Sequence, residues 1–310
     1  MTLPPTQAIF SAWVAWMQEE KQYAANTVSA YIKDGRSFID FFVHYQGGEQ
    51  EISWEALTPQ DIRAWLAHRL QAGGCARSNA RALSALRTFY GFLRKRFQVT
   101  TNVFLLIRKP KTPKLLPHPL EHQVLEMLLS EEIGLAHEPP WMLKRDRALY
   151  VFLYATGVRI SEALGVTGKI LQASGTISLV GKGNKERLVP LLPMVLQKMR
   201  EYAEACPYAL EPDKAFFLNL HGRPLGASHV RGRLHRLRTS FGLPSYTTPH
   251  AFRHSFATHL LAEGADLRTV QELLGHASLA STQIYVDVAD QKILEVYRKA
   301  HPLEKPSRGE

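Results

Sequence analysis

The chain reads as a mainly α-helical protein of two domains, and three observations carry that reading. At 310 residues it exceeds the length at which a single hydrophobic core usually gives way to two. Apolar residues recur at helical spacing along most of the chain, with one strand-like pair standing out near its middle. A basic, proline-rich stretch at 108–119 divides the helical patterns into an earlier and a later set.

Four helical patterns fill residues 1–107. The first runs from Thr6 to about Lys21, with Phe10, Trp13, Val14 and Met17 on one stripe. The second begins near Asn26-Thr27, read as an N-cap, carries Val28, Tyr31, Ile32, Phe38, Phe41 and Phe42, and closes at Gly47-Gly48. Thr58-Pro59 opens the third as cap and first-turn proline, and Gly73-Gly74 ends it. The fourth spans Arg77 to about Phe97, its Leu83, Leu86, Tyr90 and Leu93 facing inward. A small helical bundle follows from these four.

Residues 108–119, RKPKTPKLLPHP, hold four prolines and four basic residues without periodicity, which predicts an extended linker. Beyond it, residues 120–310 form a second domain that opens with helices at 120–133 and 141–156 and a short helix carrying Glu162 and Leu164. Thr176–Val180 and Arg187–Pro190 flank the turn-rich Gly181-Lys182-Gly183-Asn184-Lys185, which predicts a small antiparallel sheet. Helices are expected again at 193–205, 226–241, 248–263, 266–274 and 289–299.

The composition, 45% hydrophobic and 21% charged, is that of a globular protein and excludes disordered and fibrous classes. No apolar run approaches the roughly 18 residues of a membrane span. The opening MTLPPTQAIFSAWVAWMQEE lacks the basic start of a secretory signal and meets Glu19 and Glu20 early, so a cytoplasmic location is expected. Cys75 and Cys206 are far apart in unrelated contexts and make neither a disulfide framework nor a metal box.

The net charge of +10 points to a polyanionic partner, and its distribution sharpens the point. Residues 60–115 hold 12 Lys and Arg against 1 acidic residue, whereas 1–59 hold 3 against 7 and 116–310 hold 23 against 20. A face of one sign is either a solubility device or a phosphate-binding surface. Arg77, Arg81, Arg87 and Arg94 on the fourth helix, with Arg231 and Arg233 at the basic stretch before Arg238, are the DNA-contact candidates.

Three stretches of the second domain concentrate reactive side chains: ATGVRISEAL around Arg159, PHAFRHSFATHLL around His250 and Arg253, and LLGHASLASTQIYV around His276 and Tyr285. A helix starting at Thr248-Pro249 would point His250 and Arg253 to one side, near a positive helix end that attracts phosphate. Two arginines supply planar forks that match phosphate oxygens and bring the charge a metal would otherwise carry.

The order of these pieces resembles the tyrosine recombinase (phage integrase) family, and within it the Xer branch. The family pattern of Arg, Lys, His, Arg, His and Tyr falls on Arg159 in TGVRISE, Lys182 in GKGNKERLVP, His250 and Arg253 in HAFRHSFATHL, His276 in LLGH and Tyr285 in STQIY. The ending EVYRKAHPLEK resembles the XerC subgroup more than XerD.

That resemblance implies a SAM-like core-binding domain over 1–107 and a catalytic domain over 120–310 ending in a helix exchanged between protomers. It further implies cleavage by Tyr285 through a 3′-phosphotyrosyl bond, with Lys182 protonating the departing 5′ oxygen and His250 helping to take the tyrosine proton. Arg159, Arg253 and His276 would stabilise the transition state. No cofactor, metal or ATP is needed, because the covalent link retains the energy of the broken bond. The implied partners are a double-stranded DNA site clamped between the domains, a second Xer-type recombinase in a heterotetramer (or copies of the same chain in a homotetramer), and a septal DNA translocase. The implied role is the resolution of chromosome dimers at cell division.

Alternatives stand beside each assignment. Tyr285 is one of 11 tyrosines, and outside its motif it would read as a packing residue. His250 and His254, four apart, have metal-ligand spacing but lack the glutamate of a zinc protease and sit beside Arg253. Glu162 reads as the ion-pair partner that fixes Arg159. Only its place in the family pattern selects Lys182 over Lys185 and Arg187 on the same hairpin. Val286-Asp287 replace the Thr-His common in Xer proteins, and GVTGKILQASG lacks an acidic residue often found there. A mobile-element integrase with the same chemistry and a non-cleaving DNA-binding accessory factor are the rival readings.

Overall fold

The structure is a computed structural model that describes residues 4–45, 52–101, 103–108, 110, 118–130, 133–135, 137–181 and 186–274. The chain divides into two compact units, 1–115 and 116–310.

In the first unit α1 (Thr6–Ala15) runs into a π-helical turn, Trp16–Glu20, where one continuous helix was expected. It is followed by α2 (Ala25–Tyr45), α3 (Pro59–Gln71) and α4 (Ala76–Phe97), then a 3-10 turn at Val103–Leu105. The second helix starts ahead of Asn26-Thr27, which lie in its first turn rather than at a cap. Thr58 does cap α3: its hydroxyl accepts the Asp61 N–H at 3.3 Å, while the Asp61 carboxylate accepts the Thr58 N–H at 2.8 Å.

Aromatic rings fill the space between these helices. Trp13 and Trp65 are fully buried, Trp13 meeting Phe89 edge-on at 5.1 Å and Trp65 meeting Phe38 at the same distance. Burial of each Phe is worth on the order of 2–3 kcal/mol. Gly35 allows α2 to approach α1 closely, since a Cβ there would lie 2.7 Å from a Phe10 ring carbon.

The adjacent Asp34 is only 1% exposed and is paired twice. Arg69 of α3 donates to it at 3.1 Å, and Arg81 of α4 donates through two nitrogens at 2.8 and 3.1 Å, so one carboxylate ties three helices. Asp34→Ala would leave Arg69 without its charge partner. The expected cost is about 3 kcal/mol, at the low end for breaking a buried pair because the Arg81 side chain is 46% exposed. Four of the five tryptophans lie in this unit, so the loss should register as a lower urea midpoint by tryptophan fluorescence, and an unchanged midpoint would refute it.

The second unit is built on α6 (Pro140–Thr156), which follows α5 (His122–Leu129), a shorter helix than the expected 120–133. Every residue of α6 from Arg145 to Thr156 is buried. Next come α7 (Ile160–Leu164), a 3-10 turn at Gly168–Gln172, β1 (Thr176–Val180), β2 (Glu186–Pro190), α8 (Pro193–Ala205), α9 (Ala227–Phe241), α10 (Pro249–Ala262) and α11 (Leu267–Leu274). Helices α8 and α10 pack on α6, with Tyr150 stacked on Phe252 at 5.4 Å. The two strands pair antiparallel, with Thr176 opposite Pro190 and Val180 opposite Glu186.

Mainly α with one small antiparallel sheet is therefore the architecture of the described residues. None of their helices is long and apolar enough to cross a membrane. The helix expected at 289–299 lies outside them.

Candidate active site

The site begins where α6 ends. Gly157 terminates that helix in the left-handed region, φ +61°, and its amide donates to the Leu153 carbonyl at 3.0 Å. A side chain is excluded there twice over, by the backbone conformation and by space: a Cβ would lie 2.4 Å from Phe256 and 2.9 Å from Leu274. The turn delivers Arg159 to the N-cap of α7, in extended backbone just before the helix.

Glu162, one turn on and 7% exposed, fixes that arginine. Its carboxylate accepts the Arg159 backbone N–H at 2.9 Å and the Arg159 Nη1 at 2.8 Å. Arg187 of β2 approaches the same carboxylate from the other side, Nη1 at 3.2 Å and Nη2 at 2.8 Å. Burial alone would raise the Glu162 pKa, but the Arg187 and Arg159 hydrogen bonds outweigh it and hold the group down at about 2.

Arg253 sits in the second turn of α10, whose start is fixed by the Thr248 hydroxyl accepting the Ala251 N–H at 3.3 Å and by Pro249 in the first turn. It is 7% exposed and bridges two segments, Nη1 donating to the Gly157 carbonyl at 2.7 Å and Nη2 to the Leu274 carbonyl at 2.8 Å. Arg253 is thus anchored two residues before Arg159 in the chain. Burial first, and then the positive charges of Arg159 and Arg187, bring its pKa down to about 10, so it stays cationic at neutral pH. His250 lies one turn earlier on α10 and is exposed.

Three guanidinium groups against one carboxylate leave a local surplus of positive charge. Arg159 still has a side chain 41% exposed, with donors beyond the one given to Glu162. The arrangement can hold an anionic oxygen with preset donors, which is what displacement at a phosphate demands.

Lys182, His276 and Tyr285 lie outside the described residues. Among the DNA-contact candidates, Arg77, Arg94 and Arg231 are exposed. Arg81 is turned to Asp34, and Arg87 donates to the Phe104 and Ile107 carbonyls at 3.2 and 2.7 Å.

Arg233 requires a correction. It is 4% exposed and paired with Asp146 and Glu138, so it locks α9 to the start of α6 rather than facing a ligand. The helical period explains this, since Val230, Arg233, Leu234 and Leu237 share the buried stripe of α9. Arg187 was passed over as a site residue, although its strand held a signal: it shares a face with buried Val189, where a charge needs a partner. A cleft of about 650 Å³ beside α6 and α9, lined in part by His137, His221, His229 and Arg236, includes Arg233 with its partners Glu138 and Asp146 but neither Arg159, His250 nor Arg253.

Residues 121–292 match the phage integrase family, and residues 10–96 match the phage integrase N-terminal SAM-like domain. The chain belongs to the phage integrase family. Members of this tyrosine recombinase family cleave and rejoin DNA, and here the paired arginines lie within the matched region.

The tyrosine recombinase XerC of Mesorhizobium japonicum is 43% identical over 302 residues, covering 96% of each chain. That of Agrobacterium fabrum is 44% identical over 294 residues, 94% of this chain and 93% of the relative. By fold, the chain is similar to the XerH site-specific recombinase bound to difH substrate, with TM-score 0.62 and 22% identity over 93% of this chain and 82% of that one. It is also similar to the Tn1549 transposon integrase in complex with a circular intermediate DNA, with TM-score 0.62 and 20% identity over 93% of this chain and 99% of that one.

In this phage integrase family member the Glu162 carboxylate has a pH signature. Its folded pKa, about 2, lies below the ordinary 4.5, so its stabilisation is present above pH 4.5 and is lost as pH falls toward 2. Glu162→Gln should therefore lower the melting temperature at pH 7, by an amount equivalent to about 3 kcal/mol. The gap between variant and wild type should close as the acid limit is approached. A gap independent of pH between 7 and 3 would contradict the assignment.

Proposed function

We propose that this chain is a site-specific recombinase in which Tyr285 attacks the scissile phosphate, forming a 3′-phosphotyrosyl bond and releasing a 5′ hydroxyl. Arg159, Arg253 and His276 stabilise the charge on the non-bridging oxygens, Lys182 protonates the leaving 5′ oxygen, and His250 helps take the phenolic proton. A phenol with a pKa of roughly 10 needs that help at neutral pH. Rejoining reverses the step with a different 5′ hydroxyl. The observation that carries this reading is Arg253 bonded to the Gly157 carbonyl, which sets two guanidinium groups beside one turn of chain.

The DNA partner is a duplex site held largely through phosphates, with Arg77, Arg94 and Arg231 exposed on helices α4 and α9 to meet it. Relatives named XerC at 39–44% identity over nearly the whole chain support a role in resolving chromosome dimers at cell division, in the cytoplasm. In that role it works with a second Xer-type recombinase or with copies of itself, under control of a DNA translocase at the septum.

Selection from random duplexes followed by footprinting would recover the DNA site. On that site, nicked to trap the intermediate, wild type should form a covalent adduct that Tyr285→Phe lacks and Lys182→Ala forms at least about 100-fold more slowly. An adduct that persists in Tyr285→Phe would reject the nucleophile. Truncation before Ala289 should leave single-site binding within about twofold while strand exchange between two sites falls, since the tail is assigned to subunit contacts. Unchanged exchange would remove that assignment.

A further inference from the structure

Arg187 belongs to neither the family pattern of six nor the DNA-contact set, yet its geometry is that of a device. A carboxylate offers about four lone-pair positions. Those of Glu162 are filled by two donors from Arg159 and two from Arg187. The Arg159 donors come from three residues away, so alone they would let acid and arginine move together as one unit. The Arg187 donors come from 25 residues away, on β2, with a side chain 14% exposed, and they tie that unit to the sheet. Packing also fixes the strand itself: Arg187 pairs in register with Leu179 and is followed by buried Val189 and Pro190.

We propose that Arg187 is a positioning residue for DNA cleavage, holding the Arg159 guanidinium in register with the scissile phosphate through the carboxylate of Glu162. This rests on the reading of Arg159 as a phosphate-binding residue. Stability alone does not account for an ion pair at this position, since a whole buried pair can often be replaced by apolar side chains of similar volume without loss. Arg187 also has a buried Nε with no hydrogen-bond partner among the described residues, a cost that a purely packing side chain would avoid. The two-nitrogen approach requires a fork, which lysine cannot present. Arg187 stands one residue into the strand that follows the hairpin tip, so the same carboxylate sets both the Arg159 turn and the base of the segment containing Lys182.

The test uses the full-length chain and the nicked duplex recovered by selection, made with either a normal scissile phosphate or a methylphosphonate, which lacks one anionic oxygen. Misplacement of a catalytic group by about 1 Å is enough to slow a reaction about 100-fold. Arg187→Gln should slow adduct formation about 10- to 100-fold on the normal phosphate, with DNA binding unchanged within about twofold. On the methylphosphonate the loss should shrink to within about threefold, because less charge has to be met. Arg187→Lys should fall between wild type and Arg187→Gln, and it serves as the second variant should Arg187→Gln fail to fold. Adding Arg187→Gln to Glu162→Gln should cost nothing further if both act on Arg159.

Wild-type cleavage by Arg187→Gln overturns the proposal, as does an equal loss on both substrates. Wild-type cleavage of both substrates by Arg159→Ala would instead remove the reading of Arg159, and this proposal with it. Results confined to the Arg187 variants leave that reading standing.

Discussion

The site depends on two hydrogen bonds from one buried guanidinium. Arg253 donates to the carbonyls of Gly157 and Leu274, and so joins the end of α6 to the end of α11. Neither acceptor is a side chain. The contact depends on the path of the backbone, and that path depends on a glycine against which Phe256 and Leu274 pack directly. Burying the arginine costs solvation and lowers its pKa to about 10, so a bound anion would relieve part of the strain. A guanidinium held this way is oriented before any anion arrives, and a preset charge needs little reorganisation when it meets one.

Charge in this molecule divides into two kinds. Arg77, Arg94 and Arg231 face outward, whereas Arg69, Arg145 and Arg233 are spent on internal carboxylates. Arg81 belongs to both groups, half-exposed yet bound to Asp34 through two nitrogens. The excess of basic residues in 60–115 is real, but fewer of them are available to a ligand than a count of side chains implies.

Helix existence was legible because the apolar stripes are long, and the hairpin because its strands bracket a turn-rich tip. Boundaries were less so. The expected cap at Asn26-Thr27 is overridden by a helix that starts at Ala25, and the π turn at Trp16–Glu20 has no signature in apolar spacing. Arg159, Glu162 and Arg253 stood out because they lie in compact motifs, and the Arg159–Glu162 ion pair expected from a spacing of three is present. Arg187 and Arg233 were misjudged for one reason: their partners are 25 and 87 residues away, and local pattern holds no record of such distances. Only the inward face of β2 and the buried stripe of α9 hinted at them.

Helix α6 has no solvent face from Arg145 onward, and this changes what a loss-of-function screen on this protein would report. Most surface helices can absorb a misfit by tilting toward water. This one is enclosed, so a misfit at Phe152 or Leu149 has nowhere to relax except along the axis, toward Gly157 and the arginines that follow. Inactive clones would therefore accumulate at apolar positions that never meet a substrate. Ranking residues by lost activity alone would promote part of the scaffold to the status of machinery.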